Sequence, residues 1–147
     1  MIYNKTMTQE EKQLLLKDLS CRIPYGVIVN VDGKYNARLE SVNRYYEVEV
    51  GVVSTDVYTI SDVRPYLFPL SSMTDEMMEE LNAEGFFKYR GTITNVSHIE
   101  RKEGEIYTYI DIESMSFLTE FFHSHHIDYQ ELIEKGLAID ATGLNIY

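Results

Sequence analysis

Apolar and polar side chains near the start of the chain recur with the spacing of an amphipathic α-helix. Four leucines give this segment one apolar stripe: Leu14, Leu15, Leu16 and Leu19. Thr8 and Glu11 stand before the stripe at the spacing of a capping box, in which each side chain accepts a hydrogen bond from the other residue's backbone. The pattern predicts a helix from about residue 9 to residue 19 that ends before Pro24.

The pattern then changes to the alternation that is typical of β-strands. The run 25–31 is rich in β-branched residues, and the Asp-Gly pair after it favours a tight hairpin turn. The runs 35–43 and 46–53 predict two further strands, and apolar side chains alternate with polar ones in the second. A short run at 57–60 is expected to close the meander. The first half of the chain is therefore predicted to form a small antiparallel sheet.

Prolines and glycines set the boundaries of the next segments. The apolar segment 65–70 contains two prolines, which lack a backbone donor, so we expect irregular structure there and not a central strand. Thr74, or one of the two serines before it, is expected to cap a short acidic helix that Gly85 ends. The β-prone runs 86–99 and 105–113 then predict a second hairpin.

Two short helices are expected to follow this hairpin. Ser114 caps the first helix, whose apolar side chains are Phe117, Leu118, Phe121 and Phe122. Asp128 and Glu131 repeat the capping-box spacing for the second helix, and Gly136 has the position of its C-cap. Together the elements predict the α+β class, with a small antiparallel sheet or a partly open barrel, an N-terminal helix and two short C-terminal helices.

Composition limits the class of protein and the kinds of partner. A chain of 147 residues without repeats or long linkers predicts one domain over residues 1–147, with at most a subdomain division near residue 73. The net charge of −11 opposes contact with a phosphate backbone, so direct nucleic-acid binding is not expected. The single cysteine, Cys21, allows no internal disulfide, and no apolar run has the length of a leader or a membrane span. We therefore expect a cytoplasmic protein without a membrane partner.

The densest cluster of polar side chains lies between the two predicted C-terminal helices and runs from His123 through His125 and His126 to Asp128. Imidazole and carboxylate bind divalent metals, and one helical turn separates His123 from His126 if the helix continues, so His123, His126 and Asp128 form a candidate metal site. A small metal-dependent hydrolase using all four residues is one alternative function. The other interpretation makes Asp128 an N-cap and lets the histidines interact with the helix dipole.

The sequence contains none of the common cofactor or nucleophile motifs, so no cofactor is expected. A cysteine beside a histidine can act as a nucleophile, which makes Cys21 a candidate. Its position after a leucine-rich helix is more typical of a small buried apolar residue.

Twelve tyrosines and no tryptophan are the unusual feature of the composition. Six of the tyrosines fall in or beside predicted strands, and four of these six form a candidate binding surface: Tyr46, Tyr58, Tyr107 and Tyr109. Tyrosine suits both sheet packing and protein interfaces. The leading functional hypothesis is a non-enzymatic protein-binding or adaptor module, and a second alternative is an acidic mimic of nucleic acid that occupies a basic protein. The sequence does not indicate an oligomeric state.

Three stretches of the chain carry a resemblance to a known group of proteins. They are 11–27 (EKQLLLKDLSCRIPYGV), 63–74 (VRPYLFPLSSMT) and 125–138 (HHIDYQELIEKGLA). Together they resemble an uncharacterised family of small proteins from gut bacteria and their phages or mobile elements. The resemblance implies a cytoplasmic protein encoded on a prophage or a similar element, and it implies no particular activity.

Overall fold

The computed structural model describes residues 6–51, 58–89, 92–95, 99–102, 105–108 and 112–147. The chain divides into two compact units, one formed by 1–72 with 123–147 and the other by 73–122. Helices combine with a mixed sheet that does not close into a barrel, so the α+β class is confirmed. No described helix is both long enough and apolar enough to cross a membrane.

The first unit contains one α-helix and, among the described residues, a seven-stranded sheet. Its elements are α1 (Gln9–Arg22), β1 (Ile28–Val31), β2 (Tyr35–Val42), β3 (Glu47–Val50), β4 (Tyr58–Thr59), β5 (Val63–Pro69), β10 (Ile127–Asp128) and β11 (Ile139–Asp140). Short 3-10 helices cover Ile23–Tyr25, Ile60–Asp62 and Leu70–Ser72. The strand order is β10-β5-β1-β2-β3-β4, and β11 also pairs with β5.

The predicted capping box starts α1. The Thr8 hydroxyl accepts a hydrogen bond from the Glu11 N–H at 3.1 Å, and the Glu11 carboxylate accepts one from the Thr8 N–H at 3.0 Å. The helix continues to Arg22, about one turn beyond the predicted end, and passes into a 3-10 turn that contains Pro24. Leu15 and Leu19 are buried in the core of the first unit.

The predicted hairpin and meander are confirmed in the described residues. β1 and β2 pair antiparallel up to Val31 opposite Tyr35, and β2, β3 and β4 continue the antiparallel order. Alternate residues of these strands enter the core, as Ala37 and Leu39 in β2 and Val48 in β3 show. Residues 52–57, which include part of the predicted third strand, lie outside the described residues.

The prediction of irregular structure at 65–70 is wrong, because this segment forms β5 in the middle of the sheet. The Asp32 N–H bonds to the Asp62 carbonyl at 2.6 Å, which fixes the phase of the antiparallel ladder between β1 and β5. In that phase Val29 and Pro65 face each other as a non-hydrogen-bonded pair, so Pro65 loses no bond to β1. β10 and β11 pair with β5 in parallel, so the sheet is mixed and not purely antiparallel.

The second predicted C-terminal helix does not form. Residues 132–136 form turns within an otherwise irregular segment, and Glu131 has a φ angle of 59°, which a right-handed helix does not allow. The first predicted C-terminal helix is present as α3 (Ile112–Ser124), and it begins two residues before Ser114.

The second unit contains α2 and two hairpins before most of α3. Its elements are α2 (Asp75–Ala83), β6 (Phe86–Tyr89), β7 (Thr92–Asn95), β8 (Ile99–Lys102) and β9 (Glu105–Thr108). β6 pairs with β7, and β8 pairs with β9. The run 86–99, which was predicted to be a single strand, therefore contains a hairpin formed by β6 and β7. Thr74 is the N-cap of α2, and its hydroxyl accepts from the Met77 N–H at 3.2 Å.

Candidate functional site

A buried ion pair lies on the inner face of α1. Asp18 and Arg22 are one helical turn apart, so their side chains meet on one face. Arg22 donates through Nε to Asp18 Oδ2 at 2.8 Å and through Nη2 to Oδ1 at 3.2 Å. Asp18 is 1% exposed and Arg22 is fully buried. Two charges that have lost their hydration in this way depend on each other, and removing one leaves the other uncompensated.

The pair connects α1 to the returning C-terminal segment. Arg22 Nη2 also donates to the carbonyl oxygen of Ile127 in β10 at 2.7 Å, and Gln130 Nε2 donates to Asp18 Oδ1 at 3.1 Å. The Arg22 guanidinium lies 5.8 Å from the centre of the Tyr129 ring. Arg22 Nη1 is buried and has no hydrogen-bond partner.

His123 and Tyr129 form a second polar contact beside this pair. His123 is buried, and its Nε2 lies 2.9 Å from the Tyr129 hydroxyl. Burial raises the pKa of Tyr129, and the negative charge of Asp18 raises it further. The phenol therefore stays protonated at neutral pH and can act as a hydrogen-bond donor.

His126 is held in a different way, by an aromatic stack. Its φ of 58° turns the backbone into the left-handed region. The imidazole lies flat on the Tyr147 ring, with the centroids 3.6 Å apart and the planes inclined by 9°. Its Nδ1 atom is buried without a hydrogen-bond partner. Burial, followed by the charges of Arg22 and His125, lowers the pKa of His126 from 6.5 to about 4, so the ring is neutral at pH 7.

Tyr147 covers His126 and joins two central strands. Its hydroxyl donates to the carbonyl oxygen of Tyr66 at 2.7 Å and accepts from the Ile28 N–H at 3.0 Å. Tyr147 is 45% exposed, and its partial burial raises the pKa of its phenol to about 12. The ring also packs against Phe68, with centroids 6.0 Å apart.

Asp128 organises the turns that replace the predicted helix. Its Oδ1 accepts from the N–H groups of Leu132 at 2.9 Å and Gln130 at 3.3 Å, and its Oδ2 accepts from the Ile133 N–H at 2.9 Å. Asp128 is therefore a capping carboxylate, as one sequence interpretation proposed, but it caps a loop.

The structure assigns the three candidate metal ligands to separate local contacts. His123 meets Tyr129, His126 stacks on Tyr147, and Asp128 bonds to backbone N–H groups. His125 is half-buried. Among the described residues, no group of three or more His, Cys, Asp or Glu side chains is placed to hold a metal ion.

Two of the four candidate surface tyrosines serve the packing of the first unit. Tyr46 and Tyr58 are half-buried against its core. The Tyr46 hydroxyl accepts from Gln9 Nε2 at 2.7 Å, and the Tyr58 hydroxyl lies 2.7 Å from that of Tyr35. Tyr109 and the side chain of Tyr107 lie outside the described part of the chain. A common surface for the four tyrosines stays a prediction.

Cys21 differs from its sequence interpretation. It was expected to be buried, but its thiol lies on the exposed side of α1. Asp18, one turn before Cys21 on the helix, and its direct neighbour Arg22 take the buried positions. At this end of α1 apolar, charged and cysteine residues are close together in the sequence. The sequence pattern therefore does not indicate which of these side chains faces the core.

Sequence reasoning also missed the buried pair. The only signal is the spacing of four between Asp18 and Arg22, which is common on solvent-exposed helices. Comparison of the chain with protein-family models, with curated proteins and with solved structures gives no significant match. The function is therefore inferred from the chemistry of the described residues.

The neutral state of His126 predicts a specific dependence of stability on pH. The folded-state pKa of about 4 lies below the usual 6.5, so the unfolded chain binds a proton more readily and stability falls as the pH drops from 6.5 towards 4. Because the ring is partly exposed, solvent screening reduces the expected loss to about 1 kcal/mol. Urea unfolding at pH 7.0 and pH 4.5 measures it.

The matched variants for this experiment are His126→Asn and His125→Asn. Asparagine tolerates the left-handed backbone of position 126. The loss of unfolding free energy between the two pH values is expected to be smaller in His126→Asn by about 1 kcal/mol, and to change much less in His125→Asn, which removes only the smallest of the three causes of the lowered pKa. The same loss in all three proteins would contradict the assignment.

Proposed function

We propose that the chain is a non-enzymatic protein-binding module of prophage or mobile-element origin, and that the unit 73–122 carries its binding surface. The observation that supports this most directly is the exposure of Met115 and Phe117 on α3, which are 54% and 36% exposed. Methionine and aromatic side chains are enriched at the centres of protein interfaces. The Phe117 ring stacks on Phe86 with centroids 5.8 Å apart, so it is held in place before a partner binds.

The charge of the same unit indicates the chemistry of the partner. The unit holds four Lys and Arg against eleven Asp and Glu, a net charge of −7 out of −11 for the chain. Five exposed carboxylates lie on α2 and its C-cap: Asp75, Glu76, Glu79, Glu80 and Glu84. A protein with a basic rim around an apolar contact complements this combination.

The rival functions have less support. A metal-dependent hydrolase requires that His123, His126 and Asp128 share an ion, and each of them has another partner. Mimicry of nucleic acid needs a regular row of carboxylates, and it does not use the exposed Met115 and Phe117. A protein partner uses both the charge and the apolar side chains.

The test combines affinity capture from a bacterial lysate with reconstitution from two purified proteins. Met115→Glu is expected to weaken the Kd of the reconstituted complex at least tenfold, because a charge would enter the apolar contact. Leu144→Glu is the matched control, since Leu144 is 50% exposed but belongs to the other unit. Binding should also weaken as the salt concentration rises.

The proposal fails if no captured protein binds in the purified system, or if Met115→Glu and Leu144→Glu bind it equally well. A partner that DNA displaces from the complex would instead support mimicry of nucleic acid.

A further inference from the structure

Two buried polar atoms of the first unit lack a hydrogen-bond partner. Among the described residues they are Nη1 of Arg22 and Nδ1 of His126. The Arg22 side chain has no exposed surface. Folded proteins seldom leave such atoms unpaired, and a bound water or ligand is a common explanation when they do.

The contacts of Arg22 bring the two atoms into one region. Its Nη2 donates to the carbonyl oxygen of Ile127, the residue next to His126. Burial lowers the pKa of His126, and the positive charge of Arg22 lowers it further. The flat stack of Tyr147 covers one face of the His126 ring. Both atoms therefore belong to the layer between α1 and the segment that follows α3.

The remaining hydrogen-bonding capacity defines what could bind. Nε and Nη2 of Arg22 are used by Asp18 and Ile127, so only the two N–H groups of Nη1 remain. Nδ1 of neutral His126 accepts a hydrogen bond when the ring proton is on Nε2. With the ring in this tautomer, a molecule that joins the two atoms accepts from Arg22 and donates to His126.

The balance of charge selects a neutral molecule. Asp18 already neutralises the guanidinium, with a closest approach of 2.8 Å. A bound anion would therefore add an uncompensated negative charge to a buried site, and the guanidinium repels a cation. Water is the smallest neutral molecule that has both an acceptor oxygen and protons to donate.

We propose that one internal water molecule bridges Nη1 of Arg22 and Nδ1 of His126, and that it forms part of the joint between α1 and the C-terminal segment. This water accepts from one of the two remaining N–H groups of the guanidinium that contacts Asp18. The site is independent of the proposed protein-binding surface, because its residues belong to the other unit.

The direct test is a crystal structure of the full chain at a resolution that shows ordered water, together with crystals soaked in sodium bromide. We expect one water about 2.7–3.2 Å from both atoms, and no anomalous bromide peak at that position. A bromide ion there would overturn the neutral assignment. Direct contact between the two side chains, or water bound to only one of them, would overturn the bridge.

A solution measurement gives an independent result. ¹⁷O magnetic relaxation dispersion counts water molecules that stay bound for long times, and we compare the wild type with His126→Phe and His125→Phe. The count is expected to fall by one in His126→Phe, which keeps a ring against Tyr147 but lacks Nδ1, and to stay the same in His125→Phe. An unchanged count in both variants would overturn the proposal.

Discussion

Replacing Arg22 by methionine is expected to lower the free energy of unfolding by about 3–5 kcal/mol, the range found when one partner of a buried ion pair is removed. The methionine fills much of the space but leaves the Asp18 carboxylate without its cation. It also removes the donor to the Ile127 carbonyl oxygen, which lies 105 positions further along the chain. Urea unfolding followed by circular dichroism at pH 7 measures the change.

The double variant Asp18→Leu/Arg22→Met is the control for this prediction. With both charges gone, no buried ion is left unpaired, so the double variant should be more stable than Arg22→Met alone. A loss below about 1 kcal/mol in the single variant, or a double variant less stable than the single, would contradict the buried pair.

Replacing Asp128 by alanine is expected to lower the free energy of unfolding by about 2–4 kcal/mol, because hydrogen bonds to a charged group contribute about 1.5–3 kcal/mol each before the loop relaxes. The variant leaves the N–H groups of Leu132 and Ile133 without their acceptor. Leu132 is completely buried, so its N–H cannot bond to water instead without a change in the loop.

Asp140→Ala is the matched control, because Asp140 is exposed and its carboxylate accepts from one backbone N–H, that of Thr142, at 2.9 Å. Its expected effect is about 0.5 kcal/mol. Thermal unfolding by calorimetry compares the two variants under one set of conditions. Equal losses would show that Asp128 acts as an ordinary turn residue and does not organise the segment.

Local signals were sufficient where neighbours in sequence supply the partners. The capping box of Thr8 and Glu11 was predicted because both of its bonds are made within four residues. The hairpin between β1 and β2 was predicted for the same reason, since an Asp-Gly pair and flanking β-branched residues are adjacent in the sequence. Thr74 was predicted as the N-cap of α2 for the same reason, since the N–H group that it accepts from belongs to Met77, three residues later.

Where distant residues decide the conformation, sequence reasoning failed. Pro65 argues against a central strand until the phase of the ladder is known, and that phase depends on how Asp32 meets Asp62. Asp128 and Glu131 match a capping box, but Asp128 bonds to N–H groups up to five residues ahead while Glu131 adopts a φ of 59°. The spacing alone does not distinguish a helix cap from a capped loop.

The candidate site was only partly predictable. The histidine cluster was found because His123 and His126 are close in sequence, but the direction of each ring depends on Tyr129 and Tyr147. The pair of Asp18 and Arg22 was not found, since an exposed pair has the same spacing. The burial of the pair depends on the contact between Arg22 and the Ile127 carbonyl oxygen, and no local sequence pattern predicts a contact between residues so far apart.

The pairing of β5 has a consequence for synthesis on the ribosome. Its outer edge is completed by β10 and β11, and the fifty residues 73–122 of the other unit are made in between. At a synthesis rate of about 5–20 residues per second, Ile127 is added about 3–12 s after the last residue of β5. During that interval the growing chain carries an unpaired strand edge and an Arg22 that lacks its Ile127 acceptor. An unpaired strand edge favours association with other chains, so this nascent state is more exposed to misassociation than the folded protein.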